Sequence, residues 1–291
     1  MSLSANTNRR TPSPSASLVM PERRVVHRTR GRKHGPVTRL VSPSDLGELL
    51  RPFVFLDHFD TAGGSTAGFG LHPHSGIATV TWIMEGTVSY EDTTGETGKI
   101  PTGGLEWMQA GGGVWHGGGF GDSPRIRGFQ LWLALPPSLE LGPAQSLYLK
   151  PDQIQRDGPV AVLLGHYGSA DSVIAAPSPI NYLSVSLKAG GRWTYQPPES
   201  HTVAWTAISR GSLRSPEALQ AGELAVFEES SEPIAFHAET DVELVVGSAV
   251  KHPHDLVLGH YSVHTSADAL REGEARIQQI ADRLRAEGRL T

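Results

Sequence analysis

Two histidines separated by a single residue open the stretch GLHPHSGIATVTWIMEG, residues 70–86. Residues i and i+2 of an extended strand face the same side, so His72 and His74 can present two imidazoles to one ion. Pro73 between them cannot donate a ladder hydrogen bond, which indicates a strand start or a sheet edge. Taken alone, the pair is as consistent with ordinary histidines as with a metal site.

A third histidine with the right surroundings is His116, in AGGGVWHGGGF after the predicted strand LEWMQAG. Glycines on both sides of it permit close approach of backbone. Three ligands on one side of an ion leave positions open for substrate or oxygen, which is typical of catalytic rather than structural sites. The chain has no cysteine, so any metal must be held by nitrogen and oxygen ligands.

A second H-x-H pair, His252 and His254, follows the last predicted strand. It has no glycine-flanked histidine downstream of it. We therefore expect this pair to be a surface feature, at most a chance chelator.

Short apolar or alternating runs separated by glycine-rich turns extend from Phe53 to Leu135 and again from Val160 to Val250. This pattern predicts antiparallel strands rather than a βαβ alternation. The two series resemble each other when Gly211 is set on Gly86, which brings VAWTAISRGSL (203–213) over ATVTWIMEGTV (78–88). A duplicated β-domain explains this match.

A helix is predicted near the C-terminus, over 266–290. Ser266 is a suitable N-cap, and apolar residues recur at helical spacing behind it. The members of that stripe are Leu270, Ile277, Ile280, Ala281 and Leu284.

We predict four regions along the chain: a flexible tail (1–22), an N-terminal barrel (23–150), a C-terminal barrel without metal (151–250) and a closing segment with the helix (251–291). The basic stretch RRVVHRTRGRKHG (23–35) fits a nucleic-acid arm or an outer strand with solvated charges. The net charge of −5 favours the strand and argues against nucleic acid as a partner. No apolar run approaches the roughly 20 residues of a membrane helix, and we expect a cytoplasmic protein.

The stretches FVFLDHF, GFGLHPHSGIATVTWIMEGTVSYEDTTGETGKIPTGGLEWMQAGGGVWHGGGF and VLGHYSVHTSADAL resemble the pirin family of the cupin superfamily. The resemblance implies an all-β bicupin: two antiparallel β-sandwich (jelly-roll) barrels with a C-terminal helix. It also implies one metal, usually iron, in the N-terminal barrel only. The family's metal-binding histidines correspond to His72, His74 and His116.

The chain departs from the family at three acidic positions. Gly118 stands where the family has the glutamate ligand, Ala78 replaces a glutamate, and Gly104 replaces an aspartate. Three neutral imidazoles would leave the charge of a divalent ion uncompensated, so we expect an anionic further ligand and consider zinc or nickel beside iron. In the second barrel, Pro197 and Glu199 align with the two histidines, so no metal is expected there.

Four further residues are candidates for the pocket: Asp57, His58, Glu106 and Trp115. Glu106 or Asp57 could supply oxygen from another direction, although we expect Asp57 at a turn or facing solvent. Trp82, Trp107, Trp115 and Trp132 are expected to fill the barrel, although Trp115, beside His116, could also line a ligand pocket.

Two functions follow from these features. The first is a quercetin 2,3-dioxygenase-type oxygenase acting on a small aromatic or enolisable substrate, as members of the family are described to do. In related enzymes a carboxylate near the metal deprotonates the substrate. This chain has Gly118 in place of that carboxylate, which counts against an oxygenase of this type. The alternative is a metal-binding regulatory protein that contacts a protein partner and has no catalytic activity.

Overall fold

The structure, a computed structural model, describes residues 23–62, 68–121 and 123–290; the predicted tail over 1–22 lies outside them. The strands of the first half are β1 (Val25–Thr29), β2 (Arg32–His34), β3 (Val37–Val41), β4 (Phe53–Ala62), β5 (Gly68–His74), β6 (Ile77–Glu85), β7 (Thr87–Asp92), β8 (Thr97–Pro101), β9 (Leu105–Gln109), β10 (Val114–Gly119), β11 (Arg125–Ala134) and β12 (Gln145–Leu149). Those of the second half are β13 (Arg156–Asp157), β14 (Val160–Leu164), β15 (His166–Tyr167), β16 (Ala170–Asp171), β17 (Ile180–Leu187), β18 (Arg192–Tyr195), β19 (Val203–Arg210), β20 (Ser212–Arg214), β21 (Ala218–Gln220), β22 (Leu224–Phe227), β23 (Ile234–Ala238), β24 (Val242–Ala249), β25 (Val257–Leu258) and β26 (Val263–His264). The helices are α1 (Leu46–Leu50), a 3-10 turn (Pro151–Gln153) and α2 (Ala267–Ala286).

Two sheets face each other in the first barrel. The larger has the strand order β12-β9-β6-β11-β4-β3-β2, and the smaller has the order β5-β10-β7-β8. Alternation along the strands of the larger sheet places one set of side chains inside this barrel and the other against the second barrel.

The second barrel repeats this plan. Its larger sheet has the order β1-β22-β19-β24-β17-β14-β13, and its smaller sheet has the order β18-β23-β20-β21. Strand β19 holds the position that β6 has in the first barrel, as the sequence repeat predicts. Gly86 and Gly211, which end these two strands, have φ values of 89° and 82°, a conformation that favours glycine. The predicted all-β bicupin architecture is confirmed.

Strand β1 differs from the predicted division of the chain. It precedes the first barrel in sequence, yet it pairs with β22 of the second barrel, with Val25 opposite Phe227. It occupies there the edge position that β12 occupies in the first barrel. The predicted N-terminal region, 23–150, therefore contributes its first strand to the second barrel. The backbone N–H and C=O groups of β1 find their hydrogen-bond partners in β22, about 200 residues further along the chain.

The basic residues of β1 and its flanks form ion pairs with acidic residues of the second barrel. Arg24 contacts Glu228 at 2.8 Å, and Arg28 contacts Glu217 and Glu223 at 3.0 Å. This segment is an outer strand, as the net charge favoured.

An apolar core joins the two barrels. The rings of Phe53 and Trp205 meet edge to face, with centroids 5.4 Å apart. Trp82 donates its indole N–H to the hydroxyl of Ser184, across the interface, at 3.1 Å. Trp82, Trp107 and Trp132 are buried. Trp82 and Trp107 belong to the core between the two barrels, so the expectation that they fill the first barrel was wrong for these two.

After the second barrel the chain returns to the first. Ser262 forms a parallel bridge with Ser75, and the α2 helix begins after its N-cap Ser266, which accepts from the backbone N–H of Ala269. The predicted C-terminal helix is confirmed. In the described part of the chain, neither α-helix combines the length and apolarity needed to cross a membrane.

The second H-x-H pair lies on this returning segment, and the expectation of a surface feature was wrong for one member. His252 is only 5% exposed, and its backbone N–H donates to the carbonyl of Arg51 at 3.2 Å, which holds this part of the returning segment against the first barrel. His254 is exposed.

Candidate metal centre

Strands β5 and β10 bring three histidines together inside the first barrel. His116 lies opposite His72 in the antiparallel register, and Val114 lies opposite His74. Directly opposed residues, and residues two apart on one strand, face the same side of a sheet. One ring nitrogen of each of His72, His74 and His116 lies within 4.8 Å of the others.

Each imidazole is oriented by a hydrogen bond at Nδ1. The acceptor is the carbonyl oxygen of Gly70 for His72 (2.8 Å) and that of Tyr261 for His74 (3.0 Å). For His116 the acceptor is a carboxylate oxygen of Glu106, at 3.3 Å. Because oxygen acceptors require the proton on Nδ1, the lone pair of each Nε2 is free.

The free nitrogens lack protein partners. Nε2 of His74 and Nε2 of His116 are both buried with no hydrogen-bond partner among the described residues. A buried polar atom without a partner is costly, and a metal ion would satisfy it. The donor set, three imidazole nitrogens backed by hydrogen bonds at Nδ1, fits a divalent transition metal.

Burial keeps the imidazoles of His72 and His74 uncharged. Burial first, and then the electrostatic effect of the neighbouring His116 ring, lower the pKa of His72 to about 4. The pKa of His74 falls well below its usual value for the same two reasons. Both side chains are therefore neutral near pH 7, the form that binds metal.

Glu106 gives the site a negative charge that the family resemblance did not anticipate. Burial raises the pKa of its carboxyl, but the hydrogen bonds from the His116 ring and the Thr81 hydroxyl hold it below its usual value. It is not part of the histidine cluster and lies behind His116. The sequence analysis named Glu106 as a carboxylate that could act from another direction, and the structure places it on strand β9, where it contacts Nδ1 of His116.

Two of the three acid-to-small replacements, at Gly118 and Ala78, can be explained by the structure. A Cβ atom on Gly118 would lie 2.2 Å from the carbonyl oxygen of Ser89, so the strand pairing leaves no room for a side chain. Ala78 is fully buried in the apolar core, and a charge there would have no solvent.

The other pocket candidates have different surroundings. Asp57 is 5% exposed and forms an ion pair with Arg39, at 2.9 and 3.0 Å, so the prediction of a turn or solvent-facing carboxylate was wrong. His58, next along the strand, faces the other barrel, where its Nε2 lies 3.0 Å from the hydroxyl of Ser209. Trp115 donates its indole N–H to the carbonyl of Ile277 in α2 at 2.9 Å, and it packs on the helix instead of lining the pocket.

Two spaces adjoin the triad. An inner cavity of about 40 Å³ lies within the barrel, lined by His72, His116 and Glu106 among apolar side chains. An outer groove of about 630 Å³ opens to solvent and shares His72 with the inner cavity. Its walls include Asp57, and Tyr261 from the returning C-terminal segment.

Sequence reasoning missed the residues that the returning segment and the opposing strands contribute. Tyr261 supplies its carbonyl to His74, and its ring centroid lies 6.1 Å from those of His72 and His74. Gln130 lines both the inner cavity and the groove. The alternation along GFQLWLAL indicates which residues share a face with Gln130, but not that this face is the one toward the histidines.

Comparison with known proteins agrees with this geometry. The Pirin family model matches residues 35–133. A pirin-like protein of Caulobacter vibrioides is 31% identical over 229 residues, which cover 75% of this chain and 82% of that protein. The chain belongs to the pirin family.

Some of the proteins that resemble this chain are named as enzymes. A Pseudomonas aeruginosa protein, named provisionally as a quercetin 2,3-dioxygenase, is 32% identical over 227 residues, 72% of this chain and 79% of that protein. The structure of a quercetin 2,3-dioxygenase from Acinetobacter baumannii superposes with a TM-score of 0.78 at 24% identity, covering 89% of this chain and 96% of that one. The Escherichia coli pirin YhhW, solved with nickel(II), gives a TM-score of 0.63 at 18% identity, covering 80% and 100%. These structural likenesses show the shared bicupin fold.

Proposed function

We propose that this pirin is a metal-dependent dioxygenase of the quercetin 2,3-dioxygenase type, acting on flavonols or other enolisable aromatic compounds. The convergence of three imidazole Nε2 atoms, each with its Nδ1 held by an oxygen acceptor, is the observation that carries the proposal. The names of its relatives in Pseudomonas and Acinetobacter support the substrate class.

His72, His74 and His116 would hold one divalent ion. Iron is the metal we propose, as is usual in the family, and nickel and zinc are alternatives that imidazole ligands also suit. When bound, the ion supplies a Lewis acid that favours the deprotonated form of a coordinating hydroxyl.

The protein's own groups orient and shield the reacting partners. Glu106 accepts from Nδ1 of His116 and so holds this ring with Nε2 toward the centre. Trp132 packs edge to face on His74, with centroids 4.7 Å apart, and closes that side of the site to water. His72 borders both spaces, so a substrate in the groove and a small molecule such as O₂ in the inner cavity would meet beside it.

Oxygen uptake tests this proposal. Protein loaded anaerobically with Fe(II), and separately with Ni(II), is mixed with quercetin in air-saturated buffer, and we expect O₂ consumption matched by loss of the flavonol absorbance. His116→Ala is the negative variant, and Trp115→Phe, which alters a residue packed on α2 and outside both spaces, is its control. Metal-replete wild-type protein that consumes no oxygen with quercetin or with an enolisable diketone would contradict the proposal.

That negative result would instead favour the alternative, a metal-binding regulator that contacts a protein partner. For either role we propose a cytoplasmic location, which cell fractionation tests.

A further inference from the structure

A row of polar residues crosses the inner face of the large sheet in the first barrel. Its members are direct cross-strand neighbours, so their side chains share one face. In order across the sheet they are Arg39, Asp57, Gln130, Thr81, Glu106 and Tyr148.

All members of this row except Gln130 have hydrogen-bond partners. Arg39 is paired with Asp57, Thr81 with Glu106, and Tyr148 donates to Asp92 at 2.7 Å. No hydrogen bond joins the side-chain amide of the half-buried Gln130 to another described residue. An amide offers two donors and one acceptor, so Gln130 is free to bind something else.

Gln130 stands at the boundary between the two spaces beside the triad. Like His72, it lines both the inner cavity and the outer groove. The inner cavity, at about 40 Å³, is much smaller than the outer groove, at about 630 Å³. An aromatic ligand that reaches His72 from the groove therefore lies beside Gln130.

Aromatic and cationic groups line this groove. The rings of Phe55 and Trp132 stack on each other at 4.0 Å, with an angle of 8° between their planes. The Arg39 guanidinium lies 4.1 Å from the centroid of Phe55. Because Phe55 is only 4% exposed, the partly exposed guanidinium of Arg39 is the group that favours an electron-rich aromatic ligand.

We propose that Gln130 is a ligand-contacting residue that orients a planar aromatic compound with two neighbouring oxygens in this groove. One oxygen faces the three histidines, and the second accepts an N–H of the Gln130 amide. This inference rests on the proposed function and specifies how its substrate is recognised.

Binding measured without turnover tests the inference. Zinc-loaded protein, kept anaerobic, is titrated with quercetin, whose hydroxyl and carbonyl oxygens are adjacent, and the complex is followed by tryptophan fluorescence and flavonol absorbance. Gln130→Met keeps the side-chain size and removes the hydrogen bond, and we expect about a fivefold rise in Kd. Gln130→Glu places a carboxylate, which can only accept, opposite the accepting oxygen of the ligand. The Kd of this variant should rise further.

Gln145→Met, the same change at an exposed position on β12, is the control and should bind as the wild type does. Metal content is measured for every variant, and all should retain one equivalent. Equal affinity of Gln130→Met and wild type would overturn the inference, and so would loss of zinc from Gln130→Met, since Gln130 would then act on the metal site.

The oxygen-uptake experiment separates this inference from the proposed function. Weakened binding in Gln130→Met, with no oxygen uptake by iron-loaded wild type, would support the inference and refute the dioxygenase. Unchanged quercetin binding by Gln130→Met, together with oxygen uptake by iron-loaded wild type, would refute the inference and support the dioxygenase. Zinc-loaded wild type that binds no quercetin would refute the inference, and oxygen uptake by the iron-loaded protein would then decide the proposed function by itself.

Discussion

Gly118 determines how closely strand β10 approaches β7. A Cβ atom at this position would lie 2.2 Å from the Ser89 carbonyl oxygen, so any side chain at 118 must push the strands apart. The family's carboxylate ligand therefore cannot be regained here by one substitution. In this chain Glu106 on β9 supplies the negative charge near the triad.

The first prediction concerns this glycine. Gly118→Ala should lower the free energy of unfolding by about 2 kcal/mol, since overpacking a close strand contact typically costs that much. Gly70→Ala, in the paired strand β5, is the matched control, because nothing lies within 4 Å of its Cβ position. Urea denaturation measures both. A Gly118→Glu protein as stable as wild type, with tighter metal binding, would contradict this explanation.

The sequence predicts which three histidines come together, but not the groups that orient their rings. Strand alternation brings His72 and His74 to one side, and His116 was found from its glycine-rich surroundings after the strand LEWMQ. Asp57 could not be placed, because its burial depends on Arg39, which lies 18 residues away in the chain. Tyr261, whose backbone carbonyl accepts from His74, lies 187 residues away in the chain. A local sequence pattern cannot predict such a distant backbone acceptor.

Among the elements of the fold, the segment that returns from the second barrel is part of the candidate metal centre. Besides the carbonyl of Tyr261, it supplies Ser262, which accepts from the Ser75 hydroxyl at 2.9 Å. It also supplies His264, whose Nε2 lies 3.0 Å from the same hydroxyl and whose Nδ1 lies 3.1 Å from Glu140. These buried contacts fix Ser75, the neighbour of His74.

The second prediction follows from these contacts. Ser262→Ala and His264→Gln should each weaken zinc binding by about tenfold, as loss of groups that orient metal ligands usually does. Arg289→Ala, which removes an exposed contact between the same segment and Glu91, should leave the affinity unchanged. Competition with a chromogenic chelator gives the affinities, and equal values for all four proteins would show that the segment does not support the site.

The repeat of β6 in β19 and the C-terminal helix were predictable, because both leave periodic patterns in the sequence. The pairing of β1 with β22 was not. The sequence of β1 carries no signal for its partner, because the choice of sheet depends on an edge that exists only once the second barrel has formed.

Across the whole molecule, the two barrels also share a buried polar network. Arg127 donates to the Ser209 hydroxyl at 2.8 Å and forms an ion pair with Glu243 at 2.6 Å. His58 completes the network on the far side of Ser209. Burial lowers the pKa of His58 to about 4, with Asp60 opposing and Arg127 reinforcing this shift.

This network leads to a third prediction, that acid weakens the fold. An unfolded histidine has a pKa near 6.5, so below that pH the unfolded chain binds a proton that folded His58 does not. Stability is fully present above pH 6.5 and is lost as the pH falls toward 4. Between pH 7.5 and 5.0 His58 should account for about 2 kcal/mol of this loss.

His58→Gln keeps a hydrogen-bonding group toward Ser209 and does not titrate in this range. Urea denaturation of both proteins at the two pH values isolates the contribution of His58, and the variant should lose about 2 kcal/mol less than wild type. An identical pH dependence of the two proteins would show that His58 is not held neutral in the fold.

The function proposed for the molecule depends on His72, His74 and His116 holding one metal ion together. Its sharpest test is the metal content of wild type, His74→Ala and His116→Ala after loading with Ni(II) and removal of excess, with His254→Ala as the control for an exposed histidine. Circular dichroism confirms that each variant is folded. We expect one equivalent of nickel in wild type and His254→Ala and less than one tenth of that in the other two. A folded His74→Ala or His116→Ala protein that retains a full equivalent would show that the three histidines do not form the metal site.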